Sequence, residues 1–338
     1  MARIALGVGT SHGPLLNTPP LEWDQRAGAD RRSRELIYRG ESYDFAQLIE
    51  ARGRDFSDEA APEVRQRRHA ACRAAIDELG RRIKAAELDV LVVASSDHKE
   101  IFGDELMPQF AFYWGDTVDH KPYTQEQLDA LPPGLAIAEV ANQPAVPMIR
   151  KCHPGLALHL LAETSRAGFD PAASQRLPAG RHDTGIPHGW GFIYQQILGG
   201  SYEIPVVPLF VNTFWSPNPP SAARCYDFGV ALGEAIASYP EDLRVGVVAS
   251  GGLSHFVVDE ELDRLFLDAL LAGDRDVIAS LRDEVLRSGT SELRNWIVAG
   301  TAARQAGLSG EVVDYQPCYR SEAGTGCAMA FVTWGGGQ

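Results

Sequence analysis

The sequence predicts an α/β protein with one central sheet, mostly parallel or mixed, and with helices on both faces of that sheet. Two runs, LDVLVVAS at 88–95 and LRVGVVAS at 243–250, are almost continuously apolar, as strands covered on both faces are. Short β-rich runs alternate along the chain with longer helical patterns. Such alternation is typical of helices packed on a largely parallel sheet.

Taken in chain order, the β-rich runs predict strands near 3–8, 89–94, 109–114, 205–211, 244–250, 310–316 and 328–334. A long amphipathic pattern predicts a helix over 63–87, and apolar residues at three- and four-residue spacing predict another over 220–239. The helix predicted over 259–273 opens with acidic residues and ends at Gly273, which suits the helix dipole and a C-terminal stop.

Two regions are irregular. Residues 15–60 mix prolines and charged clusters and predict a long excursion with short helices, and residues 170–190 predict a loop around one strand. The sequence contains no internal repeat and no convincing linker. We therefore expect one domain over residues 1–338.

Composition excludes several classes of partner. The 338 residues are 45% hydrophobic and 22% charged, as in soluble globular proteins, and carry a net charge of -14. That charge disfavours nucleic acid, and we expect the most basic stretch, RQRRH at 65–69, to lie on the solvated face of a helix. No apolar segment approaches the roughly 18 residues that span a bilayer. Five cysteines without a C-x-x-C pair, and no signal peptide, predict reduced, mostly buried thiols in a cytoplasmic protein.

Three of the nine histidines, His12, His98 and His255, each follow an apolar run and a few small residues. Ligands of α/β sheets gather beyond the carboxyl ends of the strands, where these side chains would lie. One such histidine alone is more often a hydrogen-bonded loop residue, and the three converge only if their strands are neighbours. Two histidines and a carboxylate form the ligand set of non-haem Fe(II) oxygenases, but any of 45 acidic residues could complete it. We expect Asp97, beside His98, to cap the loop or support a ligand.

Several motifs occur in a familiar order, namely GTSHGP at 9–14, SSDH at 95–98, MPQFAF at 107–112, a long block at 211–236 and VVASGGLSHF at 247–256. In these motifs the chain resembles the class III extradiol ring-cleavage dioxygenases. That family includes protocatechuate 4,5-dioxygenase and the gallate and 3-O-methylgallate dioxygenases.

The resemblance implies an Fe(II) cofactor held by His12, His98 and Glu292, the last within SELRNWIVAG at 291–300. Glu292 is also explained as an acidic residue near a helix start. The resemblance further implies that His255 is the catalytic acid–base and that His188 is a catalytic residue that binds the substrate hydroxyls. His182 lies six residues earlier and could be the matching histidine instead, so the assignment of His188 stays open.

The implied reaction is O2-dependent ring cleavage of a catechol-type aromatic acid, with gallate or 3-O-methylgallate as substrate and protocatechuate as the alternative. The resemblance also implies a homo-oligomer of catalytic domains. In protocatechuate 4,5-dioxygenase a separate small subunit covers the site, and here we expect the 15–60 excursion to cover it. Thr325 is expected to bind the substrate carboxylate. Three aromatic residues would either stack on the ring or belong to the core or lid, namely Phe214, Trp215 and Trp190.

Two rival functions remain at this point. A zinc hydrolase could use the same ligands to activate water, and metal analysis with a test of oxygen dependence would separate it from the dioxygenase. A non-catalytic, Memo-type protein of the same fold could bind metal or a partner. The presence of His98, His255 and Glu292 together argues against this second rival.

Overall fold

The computed structural model describes residues 1–132 and 134–335, so residues 133 and 336–338 of the expected domain lie outside the described residues. The strands are β1 (Arg3–Thr10), β2 (Leu36–Tyr38), β3 (Glu41–Tyr43), β4 (Val90–Ser95), β5 (Phe110–Tyr113), β6 (Thr117–His120), β7 (Met148–Lys151), β8 (Ala172–Ser174), β9 (Val206–Val211), β10 (Arg244–Ser250), β11 (His255–Val257), β12 (Ser309–Tyr319) and β13 (Thr325–Gly335). The α-helices are α1 (Trp23–Asp30), α2 (Phe45–Arg52), α3 (Pro62–Ala85), α4 (Gln125–Asp129), α5 (Ala136–Asn142), α6 (Pro154–Arg166), α7 (His188–Phe192), α8 (Ala222–Ser238), α9 (Glu260–Ala272), α10 (Arg275–Ala279) and α11 (Leu293–Gln305).

One large mixed sheet dominates the fold. Its strands follow the order β11-β13-β1-β10-β4-β9-β5-β8, and β12 pairs with β13. The central strands β1, β10, β4 and β9 are parallel, whereas β13 runs antiparallel to β1 and β5 antiparallel to β9. The predicted fold class, a mostly parallel or mixed sheet, is therefore confirmed.

Successive residues of a strand point to opposite faces of the sheet, so a continuously apolar strand must be covered on both faces. Helices provide this cover. In β4, Val90, Val92 and Ala94 pack in a core with α6, α8, α9 and α11. Leu91 and Val93 pack in a second core with α3 and α7. Burial on both faces explains why the central strands have continuous apolar runs.

Every strand predicted from the sequence is confirmed to within a few residues, as are the helices that became α3, α8 and α9. Gly273 follows α9 with φ of 73°, the left-handed conformation that glycine adopts readily. The 15–60 excursion contains α1, a β2–β3 hairpin and α2, and the 170–190 region contains β8 before α7 begins. The short elements β6, β7, α4, α5 and α10 were not predicted, because they are too short to show a periodic pattern.

The expectation for residues 65–69 was wrong in part. Arg65 is buried on α3, where its guanidinium donates to Asp24 Oδ1 at 2.9 Å and to the carbonyl oxygen of Arg320 at 3.0 Å. All five cysteines are buried free thiols, as expected. Within the described part of the chain, no helix is both long and apolar enough to cross a membrane.

Candidate active site

The site lies at the carboxyl edge of the sheet, where the neighbouring parallel strands β1, β10 and β4 end together. Thr10 pairs with Ser250, and Ala249 pairs with Ala94, so the three strands stop at nearly the same level. His12 follows β1 by two residues, His98 follows β4 by three, and His255 begins β11. The strands that precede the three histidines are therefore neighbours in the sheet, as convergence of the histidines requires.

Glu292 lies at the centre of these histidines. It ends a short 3-10 helix, Ser288–Glu292, that leads directly into α11, so its side chain projects from a rigid helix start. Its Oε1 lies 3.2 Å from His12 Nε2 and 2.7 Å from His98 Nε2, and its Oε2 lies 3.7 Å from His255 Nε2. Burial alone would raise the pKa of Glu292, but the facing imidazoles outweigh burial and hold that pKa well below its ordinary range.

Hydrogen bonds fix the protonated nitrogen of His12. The Ser250 hydroxyl donates its proton to the carbonyl oxygen of Gly189 at 2.8 Å, so it can only accept from His12 Nδ1, which lies 2.8 Å away. Burial lowers the pKa of His12 and favours a neutral ring. When His12 is neutral it is therefore protonated on Nδ1, and the lone pair of its Nε2 is free to bind a metal ion.

His255 is oriented in the same way. Its Nδ1 donates to the carbonyl oxygen of Leu253 at 2.8 Å, and burial lowers its pKa, so Nε2 of the neutral ring carries a free lone pair. Two glycines enclose the ring: a Cβ on Gly289 would lie 2.0 Å from His255 Cδ2, and one on Gly252 would lie 2.4 Å from Cε1. No other residue fits at either position without displacing the imidazole.

His188 forms an ion pair with Glu100. The ring Nδ1 and the backbone N–H of His188 both contact the Glu100 carboxylate, the latter at 3.0 Å. Burial alone would lower the pKa of His188, but the charge of Glu100 and its hydrogen bond raise that pKa to about 10. The His188 ring centroid lies 4.9 Å from that of His12 and 5.6 Å from that of His98. Glu100 was missed in the sequence, although its place two residues after His98 was a usable signal.

The loop that carries His98 is strained. His98 and Lys99 adopt φ of 48° and 60°, a region that bulky residues rarely occupy and that is concentrated at functional sites. Asp97 holds the loop by accepting from the backbone N–H groups of Ile101 and Phe102, both at 2.8 Å. This is the capping role that was expected of Asp97.

A cavity of about 360 Å³ opens onto these side chains, within the size range of small-molecule sites. Its wall includes Phe214 and Trp215, whereas Trp190 is fully buried and donates to the carbonyl oxygen of Val93. Of these three aromatic residues, Phe214 and Trp215 can contact a bound ring and Trp190 cannot. Six more polar residues that sequence reasoning did not select, or left open, also line this cavity, namely Arg26, Tyr123, Glu139, Asn142, Arg181 and His182.

Thr325 lies elsewhere. Its side chain is fully buried at the start of β13, where the hydroxyl donates to Asp30 Oδ2 at 2.6 Å. Asp30 in turn accepts two hydrogen bonds from Arg320, at 2.6 and 2.8 Å. Thr325 is not among the residues that line the cavity. Its connection to the site runs through Asp30, the last residue of α1.

The donor set fits a divalent transition metal. Nε2 of His12 and Nε2 of His98 each lie within 3.2 Å of Glu292 Oε1, and two imidazole nitrogens with one carboxylate oxygen are a donor set that such a cation prefers. In residues 1–132 and 134–335, however, no group of three or more His, Cys, Asp or Glu side chains is spaced so that it could hold a metal ion as it stands. Small side-chain rotations would have to accompany binding.

Fold and site together define an α/β protein with three imidazoles around one carboxylate at the carboxyl edge of a sheet. The model of a known family, the catalytic LigB subunit of aromatic ring-opening dioxygenase, matches residues 60–326. The chain belongs to this family.

Curated relatives of the chain are named as dioxygenases. The chain is 47% identical to gallate dioxygenase of Pseudomonas putida over 78 residues, which are 21% of this chain and 23% of that protein. It is 28% identical over 209 residues to a 2,3-dihydroxyphenylpropionate/2,3-dihydroxicinnamic acid 1,2-dioxygenase of Escherichia coli, covering 60% of this chain and 55% of the relative. A Comamonas testosteroni protein of the same name is 32% identical over 189 residues, covering 55% and 47%. These matches span between about a quarter and about half of the relatives' own length.

Proposed function

We propose that this protein is a non-haem Fe(II)-dependent extradiol dioxygenase that opens the ring of a catechol-type aromatic acid with O2. In the reaction, the carbon–carbon bond beside the hydroxyl pair breaks and both oxygen atoms enter the product. The observation that carries the proposal is the convergence of His12, His98 and Glu292, with His255 beside them, at the end of one cavity.

His12, His98 and Glu292 would hold the iron. The Ser250 hydroxyl keeps His12 Nε2 unprotonated, and Ser96 donates to Glu292 Oε1 at 3.1 Å, so neighbouring residues orient the ligands. Bound Fe(II) would supply the redox chemistry by which a ring hydroxyl pair reacts with O2.

His255 would move the proton. Its neutral ring presents Nε2 to the cavity, so it can accept a proton from a ring hydroxyl and return one later in the reaction. His188 uses Nδ1 to contact Glu100, so its remaining N–H can donate to a substrate oxygen. A His188 that stays charged also stabilises negative charge on that oxygen.

Gallate or 3-O-methylgallate is the proposed substrate, and protocatechuate is the alternative. The choice is supported by the 47% identical stretch shared with a gallate dioxygenase. The 15–60 excursion would act as the cover, since Arg26 of α1 lines the cavity and Asn17 donates to Asn142 Oδ1 of α5 at 2.9 Å. We also propose that the protein lies in the cytoplasm, and its buried free thiols support this location. We propose in addition that it forms a homo-oligomer, which light scattering would test.

The experiment is oxygen uptake by protein loaded anaerobically with Fe(II), with absorbance spectra, against gallate, 3-O-methylgallate, protocatechuate and homoprotocatechuate. Equimolar O2 consumption with a new ring-opened chromophore is the expected result, and the order of rates names the substrate. Bound iron without oxygen uptake on any of the four would overturn the proposal.

A further inference from the structure

The charged residues that line the cavity differ in how they are paired. Glu292 faces three histidines, and Glu100 is paired with His188. Arg26 is different: among the described residues none forms a hydrogen bond or an ion pair with its guanidinium, and its buried Nε has no partner. A half-buried cation without a partner is costly, and an anion placed beside it removes that cost.

The remaining carboxylate on the cavity wall, Glu139, does not form an ion pair with Arg26. Glu139 Oε2 is buried and also lacks a partner, yet this carboxyl does not come close enough to Arg26 to form an ion pair. Burial raises the pKa of Glu139, which reduces the negative charge it brings to the cavity. Arg181, at the rim, is exposed to solvent. Among the described residues that line the cavity, Arg26 is therefore a sheltered cation that no carboxylate neutralises.

Helix α1 holds Arg26 rigidly. Trp23, one turn earlier, is buried and donates to the carbonyl oxygen of Thr18 at 3.1 Å, and Ala27 is fully buried. At the end of the helix, Asp30 pairs with Arg320, and Thr325 donates to the same carboxylate. A guanidinium on a fixed helix is suited to bidentate recognition of a planar carboxylate.

From this geometry we propose that Arg26 binds the carboxylate of the aromatic acid, while the ring hydroxyls point toward His12, His98 and Glu292. The inference rests on the proposed function and deepens it: Arg26 makes the enzyme selective for aromatic acids over uncharged catechols. Thr325 then acts on the carboxylate only indirectly, through Asp30 and the position of α1.

The test compares Arg26→Gln with the wild type on two substrates, gallate and pyrogallol, which has the same hydroxyls and no carboxylate. Loss of a charge-assisted hydrogen bond predicts a fall in kcat/KM for gallate of about 10- to 100-fold, with pyrogallol changed by less than about 3-fold. Arg26→Lys should recover part of the loss. Arg32→Gln, at an exposed arginine just after α1 that does not line the cavity, is the matched control and should leave both substrates nearly unchanged.

A binding measurement separates this proposal from the proposed function. Anaerobic, metal-free protein is titrated with gallate and followed by tryptophan fluorescence, since Trp215 lines the cavity. Weaker binding by Arg26→Gln than by Arg32→Gln supports the assignment even if the wild type opens no ring. Equal binding by both variants and the wild type, or an equal loss of kcat/KM for gallate and pyrogallol, would overturn it.

Discussion

At the scale of single residues, the site depends on which nitrogen of each histidine carries the proton. His12 and His255 both donate from Nδ1, to Ser250 and to a backbone carbonyl oxygen respectively, so both direct Nε2 toward Glu292. The two rings nevertheless differ in distance from the carboxylate, 3.2 Å for His12 and 3.7 Å for His255. His12 and His98 approach the same carboxylate oxygen, Oε1, whereas His255 approaches Oε2, and this grouping supports the proposal that the first two are ligands and His255 is the base.

Replacing a ligand should have a different effect from replacing the base. His12→Ala, His98→Ala and Glu292→Ala should each lose iron, because two ligands hold a divalent ion poorly, whereas His255→Ala should keep iron and lose most turnover, typically 100-fold or more. Iron content per chain and turnover, measured on the same samples, check the division of roles. Equal iron loss in all four variants would refute it.

The Ser250 hydroxyl should support the metal without touching it. Ser250→Ala leaves His12 Nδ1 without its acceptor, so we expect roughly a 10- to 100-fold loss of Fe(II) affinity. Competition with a chelator of known affinity measures the change. Ser238→Ala, at an exposed hydroxyl on α8, is the control and should bind iron like the wild type. An unchanged affinity in Ser250→Ala would show that the tautomer of His12 is fixed by other contacts.

The pair of His188 and Glu100 should make stability depend on pH. The folded pKa of His188 is about 10 against an ordinary 6.5, so the pair stabilises the fold fully below about pH 6.5 and loses that contribution as pH rises through 10. Glu100→Gln should flatten this decline, as measured by urea unfolding at a series of pH values between these limits. Parallel declines in both proteins would contradict the ion pair.

At the scale of elements, the excursion between β1 and β4 is tied to the rest of the fold. Arg31 and Glu322 form a bidentate ion pair at 3.0 and 2.6 Å, and Arg39 pairs with Asp259 at the start of α9. The Asp30 and Arg320 pair is buried beneath them. These contacts make α1 a fixed wall of the cavity, so point substitutions are better probes of the excursion than its deletion.

The buried pair of Asp30 and Arg320 should matter more for stability than the more exposed pair of Arg31 and Glu322 at the end of the same helix. Asp30→Asn leaves Arg320 buried without its counter-charge and should lower the free energy of unfolding by about 3 kcal/mol. Glu322→Gln, at the partner of the half-exposed Arg31, should lower it by less than about 1 kcal/mol. Denaturant unfolding of both variants gives the comparison. Similar losses would mean that the pair does not anchor the helix.

At the scale of the whole molecule, the sequence predicted more of the sheet than of the cavity wall. Continuous apolar runs reveal central strands such as β4 and β10, because burial on both faces requires them. Arg26, Glu100 and Glu139 could not be found in this way, since their role depends on which distant segments meet. Thr325 illustrates the same limit: it was expected to bind the substrate carboxylate, but its hydroxyl is directed to Asp30.

The most direct test of the central claim loads metal-stripped protein with Fe(II) or with Zn(II) and follows gallate, 3-O-methylgallate and protocatechuate under air and under argon. We expect ring opening only with Fe(II) in air, with one O2 consumed for each ring opened and a rate proportional to bound iron. Product formation with Zn(II) or under argon, or iron-loaded protein that consumes no oxygen with any of these acids, would contradict the account.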